Sequence, residues 1–109
     1  MPDQKFLFVC SQNKWRSPTA EHVFASVDGV ETLSAGTNRG ADEPLSADLI
    51  DWADIIFVME RQHRQKILRS FPREIKDKRI VVLGIPDRYQ FMDPHLVRML
   101  QVKMRRWLP

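Results

Sequence analysis

The chain has 109 residues, 43% hydrophobic and 28% charged, with a formal net charge of +3 and a single cysteine. That balance describes an ordinary globular domain over 1–109 with a modest core. A lone thiol excludes an internal disulfide framework, no apolar run approaches the ~20 residues of a membrane span, and no signal-peptide pattern opens the chain, so the expected compartment is the cytoplasm.

In chain order, the apolar, aromatic and β-branched run from Lys5 to Val9 predicts a buried strand. Ser17 as N-cap and Pro18 as first helical residue predict a helix, carried on by Ala20, Val23, Phe24 and Val27. Asp28-Gly29 is a turn, Val30 to Ala35 a second strand, and Gly36 to Pro44 a loop. Leu45 to Trp52 reads as one or two helical turns with Leu45, Leu49, Ile50 and Trp52 facing inward. Asp54 to Met59 is apolar nearly throughout, which suits a central parallel strand. Glu60 to Phe71 is an amphipathic helix stopped by Pro72; Arg79 to Leu83 is a fourth strand, ended by Gly84 and Pro86. Asp93-Pro94 opens a last helix with Leu96, Val97, Leu100, Met104, Trp107 and Leu108 as its apolar stripe. Strands alternating with helices four times predict an α/β fold: a four-stranded parallel sheet with helices on both faces, in three layers.

The chemistry is expected in the turn between the first strand and the first helix, Cys10-Ser11-Gln12-Asn13-Lys14-Trp15-Arg16. Backbone N–H groups converging at a helix N-terminus bind tetrahedral oxyanions. Such surroundings, with a guanidinium nearby, favour a thiolate at Cys10. Arg16 can fold back to grip two phosphate oxygens as a fork. Together they read as a phosphoryl-transfer site with a covalent intermediate, against the blander reading of a buried, inert cysteine. Asn13 is the loop residue best able to sit near the left-handed region.

Cys-x5-Arg-Ser-Pro followed by Thr19-Ala20-Glu21 resembles the signature of the low-molecular-weight protein tyrosine phosphatases and their arsenate-reductase relatives. The resemblance continues at Ser34-Ala35-Gly36-Thr37, at Ala53 to Arg61 and near Leu83 to Tyr89. The chain is shorter than usual members between Thr37 and Trp52, and Trp15 stands where many carry a second cysteine. The resemblance implies strand order 2-1-3-4, which puts the phosphate loop at the topological switch point. It also implies that Asn13 is tied to Ser34 and that Ser17 donates to the Cys10 thiolate. The implied activity is hydrolysis of a phosphomonoester, phosphotyrosine in a protein or a small aryl phosphate, through a cysteinyl phosphate. Phosphate or sulfate is expected to occupy the same site. Arsenate reduction with external thiols and non-catalytic phosphate binding are the alternatives.

Two aspartates compete as general acid. Asp87, in Asp-x-Tyr after the fourth strand, resembles the family's acid-bearing segment and is preferred; Asp93 has a sufficient role as a helix cap. Trp15 and Tyr89 are the aromatics expected to wall an aryl ring, although Trp15 serves equally well packed on the last helix. Ser11, Gln12 and Lys14 complete the loop. Trp52 and Trp107 read as core or interface residues. His22, His63 and His95 share no metal-ligand spacing and read as surface or helix-face residues, and neither metal nor cofactor is expected. Residues 1–60 carry four Lys/Arg against ten Asp/Glu, and residues 61–109 thirteen against four. The dense basic run from Arg61 to Arg79 flanks apolar Ile67, Leu68 and Phe71, so it reads as a solvated helix face that helps acidic substrates. That reading is preferred to a nucleic-acid surface.

Overall fold

The computed structural model describes residues 3–109. Its elements run β1 (Gln4–Cys10), α1 (Arg16–Phe24), β2 (Val30–Gly36), α2 (Ala47–Trp52), β3 (Ile55–Val58), α3 (Arg61–Ser70), β4 (Arg79–Val82) and α4 (Pro94–Met104), closed by a 3₁₀ turn over Arg105–Trp107. The sheet order is β2-β1-β3-β4 with every pairing parallel, as expected. β1 is central, and its carboxyl end carries Cys10 to the crevice where ligands bind in such sheets.

Alternation along β1 builds the two outer layers. Phe6 and Phe8 face α1 and α4, packing with Ala20, Phe24, Leu96, Leu100 and Met104. Leu7 and Val9 face the opposite layer, with Ile50 of α2 and Ile67 of α3. Phe8 is stacked between Phe24 and Phe57, at 5.8 and 5.4 Å between centroids. Truncating such a ring to Ala costs about 3–5 kcal/mol, so the strand that delivers Cys10 is held firmly. Trp107 packs edge-on to Phe57, and Trp52 lies against the second layer, both partly buried at the edge of the core.

Boundaries differ from expectation where side chains take other work. β3 starts one residue late because Asp54 turns back on β1: its carboxylate accepts from the Lys5 N–H at 2.9 Å. α1 begins at Arg16, not Pro18, and Trp15 at its N-cap makes no side-chain cap. Ser17 is therefore inside the first turn, because its hydroxyl is engaged beneath the loop instead. Of the apolar residues of α3 and its end, Ile67 is buried, Phe71 half-buried and Leu68 exposed. Among the described residues, no helix is long and apolar enough to cross a membrane.

Candidate active site

The turn after β1 encloses a cavity of about 330 Å³ lined by Cys10, Ser11, Gln12, Lys14, Trp15, Arg16 and, from the far side, Asp87. Cys10 is buried at its base, with Sγ 2.9 Å from the Ser17 hydroxyl. Asn13 lies in the left-handed region, φ 56°, where Asn is tolerated. Its Nδ2 donates to Ser17 Oγ at 3.0 Å and to Ser34 Oγ at 2.9 Å, and Ser34 donates in turn to the Glu21 carboxylate. Because Ser17 Oγ accepts from Asn13, its own proton is left for the sulfur at 2.9 Å or the more distant Ala35 carbonyl at 3.4 Å.

Gly36 lets this loop settle onto β2. A Cβ there would lie 2.5 Å from the Ser11 carbonyl oxygen and 3.0 Å from the Asn13 nitrogen. The 37–42 segment then covers the loop from outside, with Thr37 N–H donating to Cys10 O at 2.9 Å and Asn38 N–H to Ser11 O at 3.0 Å.

Arg16 is buried, and its anchors lie far away in the chain. Nη1 donates to Glu60 Oε1 at 2.6 Å and to the Ile85 carbonyl at 2.8 Å, while Nε faces Asp87 Oδ1 at 3.7 Å. Among the described residues its Nη2 has no hydrogen-bond partner, so one corner of the planar fork is fixed and another is open to a ligand. The hydrogen bond from Arg16 holds the Glu60 carboxyl below the usual carboxylate range.

Glu60 and His63 were not singled out as site residues, and His63 is not the surface histidine expected. It is 1% exposed, and its Nε2 lies 2.8 Å from Ser11 Oγ. Nδ1 accepts from the Glu60 N–H at 3.0 Å, so the ring proton sits on Nε2 and is donated to Ser11. Burial, reinforced by the Arg16 charge, pushes the imidazole down to about 4, which keeps it neutral. Glu60 and His63 also form the reciprocal cap of α3. One helix cap thus reaches both ends of the phosphate loop. The only sequence signal was Glu three residues before His at a strand-to-helix junction.

Other expected residues fall elsewhere. Tyr89 does not line the cavity; it is half-buried against the core beneath α1 and α4, where its ring gains more from apolar contact than from solvent. Asp93 caps α4, accepting from the His95 N–H at 2.8 Å, and does not line the cavity. Asp87 does line it, at 58% side-chain exposure. Trp15 is 45% exposed on the cavity rim rather than packed away. Among the described residues, no three His, Cys, Asp or Glu side chains are grouped to hold a metal ion.

No family model and no curated protein matches this sequence. Solved structures do. The low-molecular-weight protein tyrosine phosphatase SP-PTP from Streptococcus pyogenes shares 18% identity over 95% of this chain and 90% of its own, with a TM-score of 0.78. Wzb from Vibrio vulnificus, solved with benzylphosphonate, shares 22% over 96% and 97%, with a TM-score of 0.77. The YwlE arginine phosphatase from Geobacillus stearothermophilus shares 24% over 95% and 90%, with a TM-score of 0.73. At this identity the likeness is one of architecture, and the chain has the fold of the low-molecular-weight protein tyrosine phosphatases.

Proposed function

We propose that this chain is a phosphomonoester hydrolase, acting on phosphotyrosine or another aryl phosphate through a cysteinyl-phosphate intermediate on Cys10. The observation that carries this reading is the Cys10 Sγ, 2.9 Å from Ser17 Oγ, at the base of a cavity that also presents Arg16 and Asp87. The cavity is near the lower end of ligand-pocket volumes, which suits a single phosphorylated side chain. Benzylphosphonate, bound by the Vibrio protein of the same fold, is a stable likeness of such a group.

In the first step the Cys10 thiolate attacks phosphorus, and the bond to the leaving oxygen breaks. Asp87 donates a proton to that oxygen. The loop N–H groups of residues 11–16 and the free corner of Arg16 hold the equatorial oxygens. In the second step water attacks the cysteinyl phosphate, Asp87 takes its proton, and the thiolate departs with the Ser17 hydroxyl donating to it. Ser34 and Asn13 act behind these groups by keeping the loop wound. A free thiol at the centre of the reaction suits a reducing cytoplasm. Rapid acid quenching during turnover of nitrophenyl phosphate tests the reading: phosphate is expected covalently on the peptide containing Cys10, after a burst of one equivalent of nitrophenol. Turnover with no phosphorylated Cys10 peptide overturns it.

A further inference from the structure

Beside the phosphate cavity a second hollow of about 160 Å³ opens between the segment after β2 and helix α3, and Ser11 lines both. Its walls include Asn38, Gln62, Lys66 and Arg69. Asn38 and Lys66 are also walls of a larger hollow of about 570 Å³, to which Arg39, Leu45 and Phe71 are added. Side by side and sharing walls, the three hollows make a stepped groove from the phosphate loop along α3.

Arg39, Lys66 and Arg69 are the charged groups on its walls, and no carboxylate lines either hollow. Asp42 and Glu43, on the neighbouring loop, are exposed and face neither. Both ion pairs among the described residues belong to Arg16, so none of the three groove cations has a carboxylate within 4.0 Å. Lys66 donates to Asn38 Oδ1 at 3.1 Å, which sets its ammonium in the groove wall without neutralising it. Three unneutralised cations in a concave surface concentrate positive potential there.

We propose that this groove binds aspartate or glutamate side chains flanking the phosphorylated residue of a protein substrate. The proposal rests on the catalytic reading for the phosphorylated residue itself. Ser11 is the wall between the two, so a peptide whose phosphorylated residue fills the cavity crosses it to set neighbouring side chains in the groove. A rise of ~1.5 Å per helical residue sets Lys66 and Arg69 roughly 5 and 9 Å along α3 from His63. An extended peptide advances ~3.3 Å per residue, so acids about two to three positions from the phosphorylated residue span such distances.

The test compares phosphotyrosine peptides with acidic and with neutral residues at those positions. Each is measured as kcat/KM on the wild-type protein and as affinity for the Cys10→Ser protein. Exposed charge pairs of this kind predict an acidic-to-neutral ratio of about three- to tenfold at low salt, shrinking as salt rises. The double substitution Lys66→Gln/Arg69→Gln is expected to bring both ratios toward one. A ratio of one in the wild-type protein, a ratio indifferent to the double substitution, or displacement of the acidic peptide by single-stranded RNA at lower concentration overturns the proposal. Phenyl phosphate turnover separates the two readings: if it is absent, the catalytic reading falls, while the affinity ratio still decides the groove.

Discussion

The base and the rim of the cavity are built in opposite ways. At the base, Cys10, Asn13, Arg16, Ser17, Ser34 and His63 are buried, and each makes at least one hydrogen bond inside the protein, with Arg16 Nη2 left open. At the rim, Gln12, Lys14, Trp15 and Asp87 are exposed, and the polar contact their side chains make among the described residues is Asp87 to Arg16 at 3.7 Å. A base prepaid in hydrogen bonds needs no rearrangement when charge develops on a phosphoryl group, which is where electrostatic catalysis gains most. A solvated rim can change without disturbing that base. On the proposed reading the base holds the reacting phosphoryl group, while the rim, Asp87 apart, selects the molecules that carry it.

Substitutions at the reacting centre should separate the two regions most sharply. Cys10→Ser is expected to lower phenyl phosphate turnover by more than about 10³-fold while retaining vanadate or phosphate binding, because the loop and Arg16 survive. Residual turnover within about tenfold of wild type would place the chemistry elsewhere. Arg16→Lys is expected to be comparably severe, since an ammonium cannot reproduce a fork held at one corner.

Asp87 is the rim residue assigned to the reaction. Asp87→Asn is expected to lower kcat by about 10²–10⁴ for poor leaving groups, and far less for nitrophenyl phosphate, whose anion leaves unaided. Asp93→Asn should leave these rates near wild type and cost only tenths of a kcal/mol, because Asn also caps helices well. The reverse pattern across a leaving-group series exchanges the two assignments.

His63 tests the base through pH. Its imidazole takes a proton near 6.5 when unfolded and only near 4 when folded. Between those values the unfolded chain binds the extra proton, so this contribution is complete above pH 6.5 and is lost as pH falls toward 4. The window corresponds to on the order of 3 kcal/mol. Glu60, held low by Arg16, acts in the same sense at the acid end: its stabilisation is present above the ordinary carboxylate value and lost as pH falls through its lowered one. Urea midpoints from pH 7.5 to 4.5 should therefore decline in the wild-type protein and flatten in His63→Gln. An equal decline in both would remove His63 from this role.

The smallest effect belongs to Trp15. Trp15→Ala should reduce the preference for aryl over alkyl phosphates by about three- to tenfold, the worth of one partly exposed aromatic contact. The melting temperature should hardly move, because the ring is 45% exposed. An unchanged preference would leave the rim's selectivity to Lys14 and Gln12.

What could be read from the chain follows the reach of its interactions. The strand–turn–helix at Cys10 is local, and alternation within β1 reports its two buried faces directly, so the element order and sheet order were legible, the latter through resemblance. The anchors of Arg16 lie 44 and 69 residues away, and Ser11 meets its imidazole across 52 residues. No periodicity within α3 distinguishes a histidine that caps the helix and holds a distant serine from one that faces water. Ser17 misled for a related reason: its type suits an N-cap, but a buried sulfur and an amide compete for the same hydroxyl. Tyr89 was placed by its position in a motif, whereas its ring follows the apolar core.

The hold of the Ile85 carbonyl on Arg16 has a consequence for synthesis. Cys10 leaves the ribosome before Ile85, and the fork opposite it has no fixed plane until the segment around Ile85 has been made and has docked beside β3. β1 likewise has no neighbour until β2 and β3 emerge, since both of its pairings are parallel and non-local. A nascent or partly unfolded chain thus carries its thiol without the pocket around it. Enzymatic activity should return during refolding only in step with the slowest long-range docking, as a readout of the completed sheet.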